Sequence, residues 1–183
     1  MDVSLRPIED EAGLRALLAV AVADATPEET MPPFEGPPGW TDEKQEFFLE
    51  FFRPVVASDG TAVFAVIVDG EIAGFMRLRR MPHSDAEVTG GSGGGTGGVG
   101  GTAETGMWLG RSFRGKGLGA AALDALLAQA AMRGYTRVVA DTTPQNLAAL
   151  GVLRHGRALT READGKIYAE IAIGPGYAPE LDK

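Results

Sequence analysis

The chain has no cysteine, which removes disulfides and thiolate chemistry from every reading of it. Its two histidines lie far apart at 83 and 155, without the paired spacing of a metal site, so no metal is expected. No apolar run approaches the roughly 18 residues needed to cross a bilayer, and no membrane partner is expected. The opening Met1-Asp2-Val3-Ser4-Leu5-Arg6 lacks the basic stretch and apolar run of an export signal. Together with the absent cysteine this suits a reducing compartment, and the expected location is cytoplasmic. Positive charge is scarce: 17 Lys and Arg against 25 Asp and Glu leave a net charge of −8. An acidic surface repels phosphate backbones, so nucleic acid is not an expected partner. It would draw a cationic small molecule such as a polyamine or an aminoglycoside, although solubility alone also accounts for an acidic balance.

What is present fits one domain spanning 1–183: the length is ordinary for a single core and 44% of the residues are hydrophobic. Val3 to Ile8 reads as a strand. Glu9-Asp10-Glu11 then places carboxylates at a helix start, and Leu14, Leu17, Leu18, Ala21 and Val22 recur at helical spacing up to Asp24. Thr26 to Trp40 holds five prolines and reads as a loop. Thr41 to Lys44 carries a capping signature for a helix through Phe47, Phe48, Phe51 and Phe52 that stops near Pro54. Thr61–Val68 and Glu71–Arg79 flank Asp69-Gly70, a hairpin signal. Thr89 to Thr102 holds nine glycines; it reads as a flexible insertion, bounded at 88–102, between two sheet strands. It divides an acceptor-side half, 1–80, from a second half, 103–173.

In that second half, Glu104 to Leu109 reads as a strand and Gly117 to Arg133 as a long helix. Leu118, Ala122, Leu123, Leu126 and Leu127 share one face of this helix, and Gly134 ends it. Arg137–Thr142 is a strand, Gln145–Arg154 a helix, and Lys166–Ile173 a final strand after the Asp164-Gly165 turn. The fold class is therefore α/β of the α+β type: a mixed, mostly antiparallel twisted sheet of six or seven strands with helices on both faces.

Chemistry concentrates in Leu109-Gly110-Arg111-Ser112-Phe113-Arg114-Gly115-Lys116-Gly117-Leu118-Gly119-Ala120, which joins a strand directly to an Ala- and Leu-rich helix. Alternate glycines clear side chains from the approach path. The helix start offers free N–H groups and the positive dipole end, and Arg114 and Lys116 add charge, making a site for a phosphate or pyrophosphate. A P-loop would need Ser or Thr after Lys116, and a dinucleotide fingerprint would need a wider glycine spacing.

The segment resembles the pyrophosphate loop of the GNAT superfamily of acetyl-CoA-dependent N-acetyltransferases, Arg/Gln-x-x-Gly-x-Gly/Ala, matched by Arg114, Gly117 and Gly119. Asn146 and Ala149 follow the next strand, where the family carries an Asn at a second helix. The resemblance covers Glu104 to Ile173 and implies the GNAT fold with acetyl-CoA as cofactor. It implies that the N–H groups of Gly115, Gly117, Leu118, Gly119 and Ala120 hold the pyrophosphate, beside Lys116. Met107, Trp108 and Leu109 would border the pantetheine arm, with one N–H near Leu109 polarising the thioester carbonyl. Asn146 would contact the arm, or else cap its helix.

For acid and base work, Glu104 stands where many relatives place a glutamate, and Asp141 ends the next strand. The family's tyrosine on the helix after Asn146 is replaced by Leu153, which leaves Tyr168, His155 or water to protonate the thiolate. His155 reads first as a helix C-terminal residue. The Pro-rich loop, with Glu28, Glu29, Phe34, Glu35 and Trp40, is expected to hold the acceptor, with Phe34, Glu35 and Trp40 as the leading contacts. The expected function is acetyl transfer to a primary amine of a small molecule, such as an aminoglycoside-like antibiotic, by a monomer or homodimer. Acetylation of a protein N-terminus or lysine, and non-catalytic acyl-CoA binding, are the alternatives.

Overall fold

The computed structural model describes residues 1–82 and 101–174. In chain order they form β1 (Val3–Pro7), α1 (Glu11–Asp24), α2 (Pro27–Thr30), α3 (Asp42–Val56), β2 (Thr61–Val68), β3 (Glu71–Arg80) and β4 (Gly101–Leu109). There follow α4 (Leu118–Met132), β5 (Tyr135–Thr142), α5 (Leu147–His155), β6 (Leu159–Ala163) and β7 (Lys166–Ala172). The strands make one seven-stranded sheet in the order β1-β2-β3-β4-β5-β7-β6. Only β4 and β5 run parallel. The connections explain this, since α4 crosses over between them while tight turns at Asp69-Gly70 and Asp164-Gly165 close antiparallel hairpins.

Two apolar layers cover the sheet. On one face Leu123, Leu126 and Leu127 of α4 pack against Phe64, Val66, Val138 and Ile171. On the other, Leu14 and Leu17 of α1 and Phe48 and Phe52 of α3 pack against Val63, Ala65, Phe75 and Trp108. The helical stripes expected from spacing face the core, except that Val22 is exposed and Phe47 and Phe51 are half-buried. Side-chain caps set the helix starts: Asp10 accepts from the Gly13 N–H at 2.8 Å and Thr41 from the Lys44 N–H at 3.3 Å.

Four features differ from expectation. The Pro-rich loop contains the one-turn α2, because Pro27 sits where a helix needs no N–H and Glu29 reaches back to accept from the Thr26 N–H at 2.8 Å. α3 runs through Pro54 to Val56, since a proline in the last turn removes only one hydrogen bond. β6 is a strand that periodicity misses; it is the exposed edge of the sheet, so Leu159-Thr160-Arg161-Glu162-Ala163 carries no alternation. β4 begins at Gly101, so the last two residues of the Gly-rich insertion belong to a strand. The remainder of the insertion lies outside the described residues.

Polar ties fix the segments between helices. Lys44 is buried, and its Nζ donates to the Pro37 carbonyl at 2.6 Å with Glu28 at 3.9 Å, as a buried ammonium requires. Between β4 and α4, Asp24 at the end of α1 accepts from the Ser112 N–H at 3.0 Å and from its hydroxyl at 2.6 Å. Gly110 must be glycine here, because a Cβ would lie 2.4 Å from Asp24 Oδ2. Arg114 donates from Nε to the Leu109 carbonyl at 2.9 Å and from Nη1 to Glu29 at 2.6 Å, and Arg111 joins Glu29 at 3.2 Å. The Arg114 hydrogen bond pulls the Glu29 carboxyl down to about 2 from 4.5.

Two outcomes follow. Leu126, wholly buried between α4 and the sheet, is expected to cost about 2–5 kcal/mol on replacement by Ala in urea unfolding. Glu29 has a depressed pKa, so its pairing stabilises fully above pH 4.5 and is lost as pH falls toward about 2. The Tm margin of wild type over Glu29→Gln should therefore be widest near neutrality and close across that window; a margin independent of pH would refute the pairing.

Candidate active site

The site begins where the sheet comes apart. β4 pairs with β3 along its length, from Ala103 opposite Arg80 to Leu109 opposite Gly74. On its other side, pairing with β5 ends at Glu104 opposite Val139, while β5 continues to Thr142 against β7. Beyond Glu104 and Val139 the strands part. The exposed backbone edge of β4 is then open to an extended ligand, as any unpaired strand edge is.

The β4–α4 loop ends at the mouth of this gap. Gly115 and Gly117 hold φ +73° and +78°, with open space where a Cβ would stand. α4 has no side-chain cap. Among the described residues, the N–H groups of Gly115, Lys116, Gly117, Leu118 and Gly119 have no acceptor. Five such donors at the positive end of a 15-residue helix make a site for an anion. The chemistry suits a pyrophosphate, and the glycines leave room for it.

A cavity of about 780 Å³ joins cradle and gap. Met107, Trp108 and Leu109 line it from β4, and Asn146 and Ala149 from α5. Arg114, Gly115, Gly117, Leu118, Gly119 and Ala120 line it from the loop and α4. The expected cofactor residues thus meet in one place, Lys116 excepted, which stands exposed at the loop tip. Three local arrangements refine their parts. The Ala120 N–H already donates to the Gly117 carbonyl at 3.1 Å. Arg114 is folded back onto Leu109 and Glu29 instead of pointing along the cradle. The Asn146 side-chain oxygen caps α5 by accepting from the Ala149 N–H at 3.1 Å.

The sequence reading missed Val152 and Gly151 on α5, which line this cavity, and assigned to the acceptor Glu28 and Glu29, which line it from α2. The Thr26-Pro27-Glu28-Glu29 capping pattern was the available signal for α2. For Val152 there was none: it approaches because Gly119 has no Cβ, which would stand 2.9 Å from Val152 Cγ2.

A second cavity of about 520 Å³ gathers the acid and base candidates Glu104, Asp141 and Tyr168. Register does this. Glu104, Val139, Glu170 and Leu159 form one row across β4, β5, β7 and β6, and Asp141, Tyr168 and Arg161 form the next. Residues two apart on a strand share a face, so both rows face one way. Glu104 is bound by Arg77 at 2.9 Å and by Arg79. Asp141 meets Lys166 at 2.8 Å, which holds the Lys166 ammonium above the usual lysine range. Tyr168 is partly exposed, with the Arg161 guanidinium 5.0 Å from its ring centre.

Of the acceptor residues expected in the Pro-rich loop, Glu28 and Glu29 line the first cavity, while Phe34, Glu35 and Trp40 line neither. Trp40 donates Nε1–H to the Ala25 carbonyl at 3.0 Å and packs on Phe48; Phe34 packs on Phe47; Glu35 is exposed. The aromatics were drawn to the α3 stripe, where apolar contact was available. Leu153 is buried, and His155 pairs with Asp124 at 2.8 Å at the end of α5, outside both cavities.

The fold has many solved counterparts. A RimL ribosomal L7/L12 alpha-N-protein acetyltransferase in complex with coenzyme A is 19% identical, with a TM-score of 0.65 over 93% of this chain and 94% of that one. The aminoglycoside acetyltransferase AAC(6')-Ib with coenzyme A is 20% identical, with a TM-score of 0.62 over 93% and 95%. The N-acetyltransferase PseH of Campylobacter jejuni in complex with acetyl coenzyme A is 11% identical, with a TM-score of 0.62 over 94% and 100%. At these identities the likeness is one of fold. None of the curated proteins matches the sequence. The family model of the acetyltransferase (GNAT) family matches residues 23–156. That span takes in the cradle, the parted strands and α5 together, and the chain belongs to the GNAT family of acetyltransferases.

Proposed function

We propose that this chain transfers an acetyl group from acetyl-CoA, by direct attack, to a primary amine of a small molecule. The observation that carries the proposal is the run of five N–H groups without acceptors, Gly115 to Gly119, set at the mouth of the gap between β4 and β5. An acetyl thioester supplies the activated carbonyl when bound. The N–H cradle holds the pyrophosphate, and the open edge of Met107 to Leu109 pairs with the pantetheine amides. One N–H of that edge stabilises charge on the carbonyl oxygen. Asn146 and Ala149 border the arm from α5.

Glu104 sits at the last paired position before the gap, with Arg77 and Arg79 holding its carboxylate in place. It takes the proton of the attacking amine directly or through water, with Asp141 in the same cavity as the other carboxylate. Tyr168, beside Asp141 in register, supplies a proton to the departing thiolate. A small acceptor is favoured because Lys44 and Trp40 pin the Pro-rich segment to α3 and the end of α1, leaving it little freedom to clear a peptide-wide groove. An aminoglycoside-like amine, drawn by the chain's net charge of −8, belongs in the acceptor panel as its polycationic member.

Calorimetry with acetyl-CoA tests the donor. Wild type is expected to bind, and Gly117→Trp, bulky and strained at φ +78°, to lose the binding while keeping its circular dichroism spectrum. Absence of binding to wild type at millimolar acetyl-CoA refutes the proposal. For the chemistry, thiol release with an amine acceptor should fall about 10²-fold or more in kcat for Glu104→Gln. An unchanged kcat would remove Glu104 from the proton path.

A further inference from the structure

The second cavity is lined by three carboxylates, Glu104, Asp141 and Glu170, and by one cation, Arg161. The protein as a whole carries 17 basic against 25 acidic residues. Each of the three cavity carboxylates already has at least one cation within 4 Å. Glu104 is bound by Arg77 and Arg79, Asp141 by Lys166 at 2.8 Å, and Glu170 faces Arg137 at 3.5 Å. Arg161 lines the cavity, and no carboxylate pairs with it among the described residues. Its guanidinium lies 5.0 Å from the centre of the Tyr168 ring, its direct cross-strand partner.

Stacking uses the flat face of a guanidinium and leaves its N–H edge free. That edge is a planar fork which matches the two oxygens of a carboxylate or phosphate. The stack also holds the side chain in place, so less freedom is lost when an anion binds. Arg161 is in the same row as Asp141 and Tyr168, three strand spacings of ~4.8 Å across and two residues along from Glu104. Both side chains line one cavity of about 520 Å³, so one small molecule can meet both.

We infer that the acceptor carries an anionic group, a carboxylate or phosphate, besides its amine, and that Arg161 stacked on Tyr168 is the specificity-determining residue that binds it. This rests on the transferase reading of the same site. It makes a polycationic acceptor the disfavoured class, in spite of the acidic surface. The anion's attraction is local: at 0.15 M salt charges more than ~8 Å away are screened, whereas Arg161 would be in contact.

Matched acceptors test it with acetyl-CoA and the full chain: serine and O-phosphoserine beside serinamide, glucosamine 6-phosphate beside glucosamine, and kanamycin as the polycation. The anionic member of a pair is expected to show kcat/KM about tenfold or more above its neutral partner. Serine against serinamide reads a carboxylate preference, and glucosamine 6-phosphate against glucosamine a phosphate preference. In Arg161→Gln the ratio should fall toward one, with the loss in KM, and Arg161→Lys should restore part of it. A preference for kanamycin or the neutral members, or a ratio that survives Arg161→Gln, overturns the inference.

A binding arm does not depend on turnover. O-phosphoserine titrated calorimetrically into the coenzyme A-loaded protein should bind wild type about tenfold or more tighter than Arg161→Gln. Equal binding, or none, overturns the inference. Failure of acetyl-CoA binding would instead sink the transferase reading, so the two failures are distinguishable.

Discussion

The site proposed for this molecule depends on one interruption of hydrogen bonding. The ladder between β4 and β5 stops at Glu104 and Val139. β3 holds β4 in place on one side and β7 holds β5 on the other. Neither strand can close the gap without giving up a longer antiparallel ladder. A strand edge is thereby left open in the middle of a sheet, where aggregation through that edge is blocked by the neighbouring layers. The cradle stands at one side of this gap and the row of acid and base residues starts at its closed end.

The cradle works because a helix start is left without the usual cap. α1, α3 and α5 each satisfy an early N–H with Asp10, Thr41 or Asn146. α4 has a glycine in the left-handed region instead, and its donors stay free. The loop is still held, but from behind. Asp24 grips Ser112, and Arg114 grips Leu109 and Glu29. The arginine of the loop signature thus acts here as a brace between β4 and α2. The same contacts tie the first half of the chain to the second, so the position of α2 and the shape of the cradle are mechanically linked.

Much of this was legible in the residues. The stripe of Leu118, Ala122, Leu123, Leu126 and Leu127, the Asp69-Gly70 turn and the glycine loop before α4 are local patterns, and local geometry follows from them. The residues of the cradle were legible for the same reason, since a strand running into a glycine loop and helix places its own N–H groups. The acceptor side was not. Phe34 and Trp40 looked available in a loop but pack on α3. β6 carried no alternation because neither of its faces is buried, and with it Arg161 went unread.

By itself the sequence determined the order of the elements apart from α2 and β6, the two buried faces and the glycine loop before α4, because each is set by residues within a few turns of one another. Only the tertiary structure decided which polar residues share a cavity. Glu104, Asp141, Tyr168 and Arg161 come from four strands, and their meeting depends on strand order and on register. A shift of one residue in any of these ladders would turn its side chains to the opposite face. Nothing local to the four residues fixes that shift. It is fixed by packing over the whole sheet, with Val138 and Ile171 buried under α4 and the charged rows left outward.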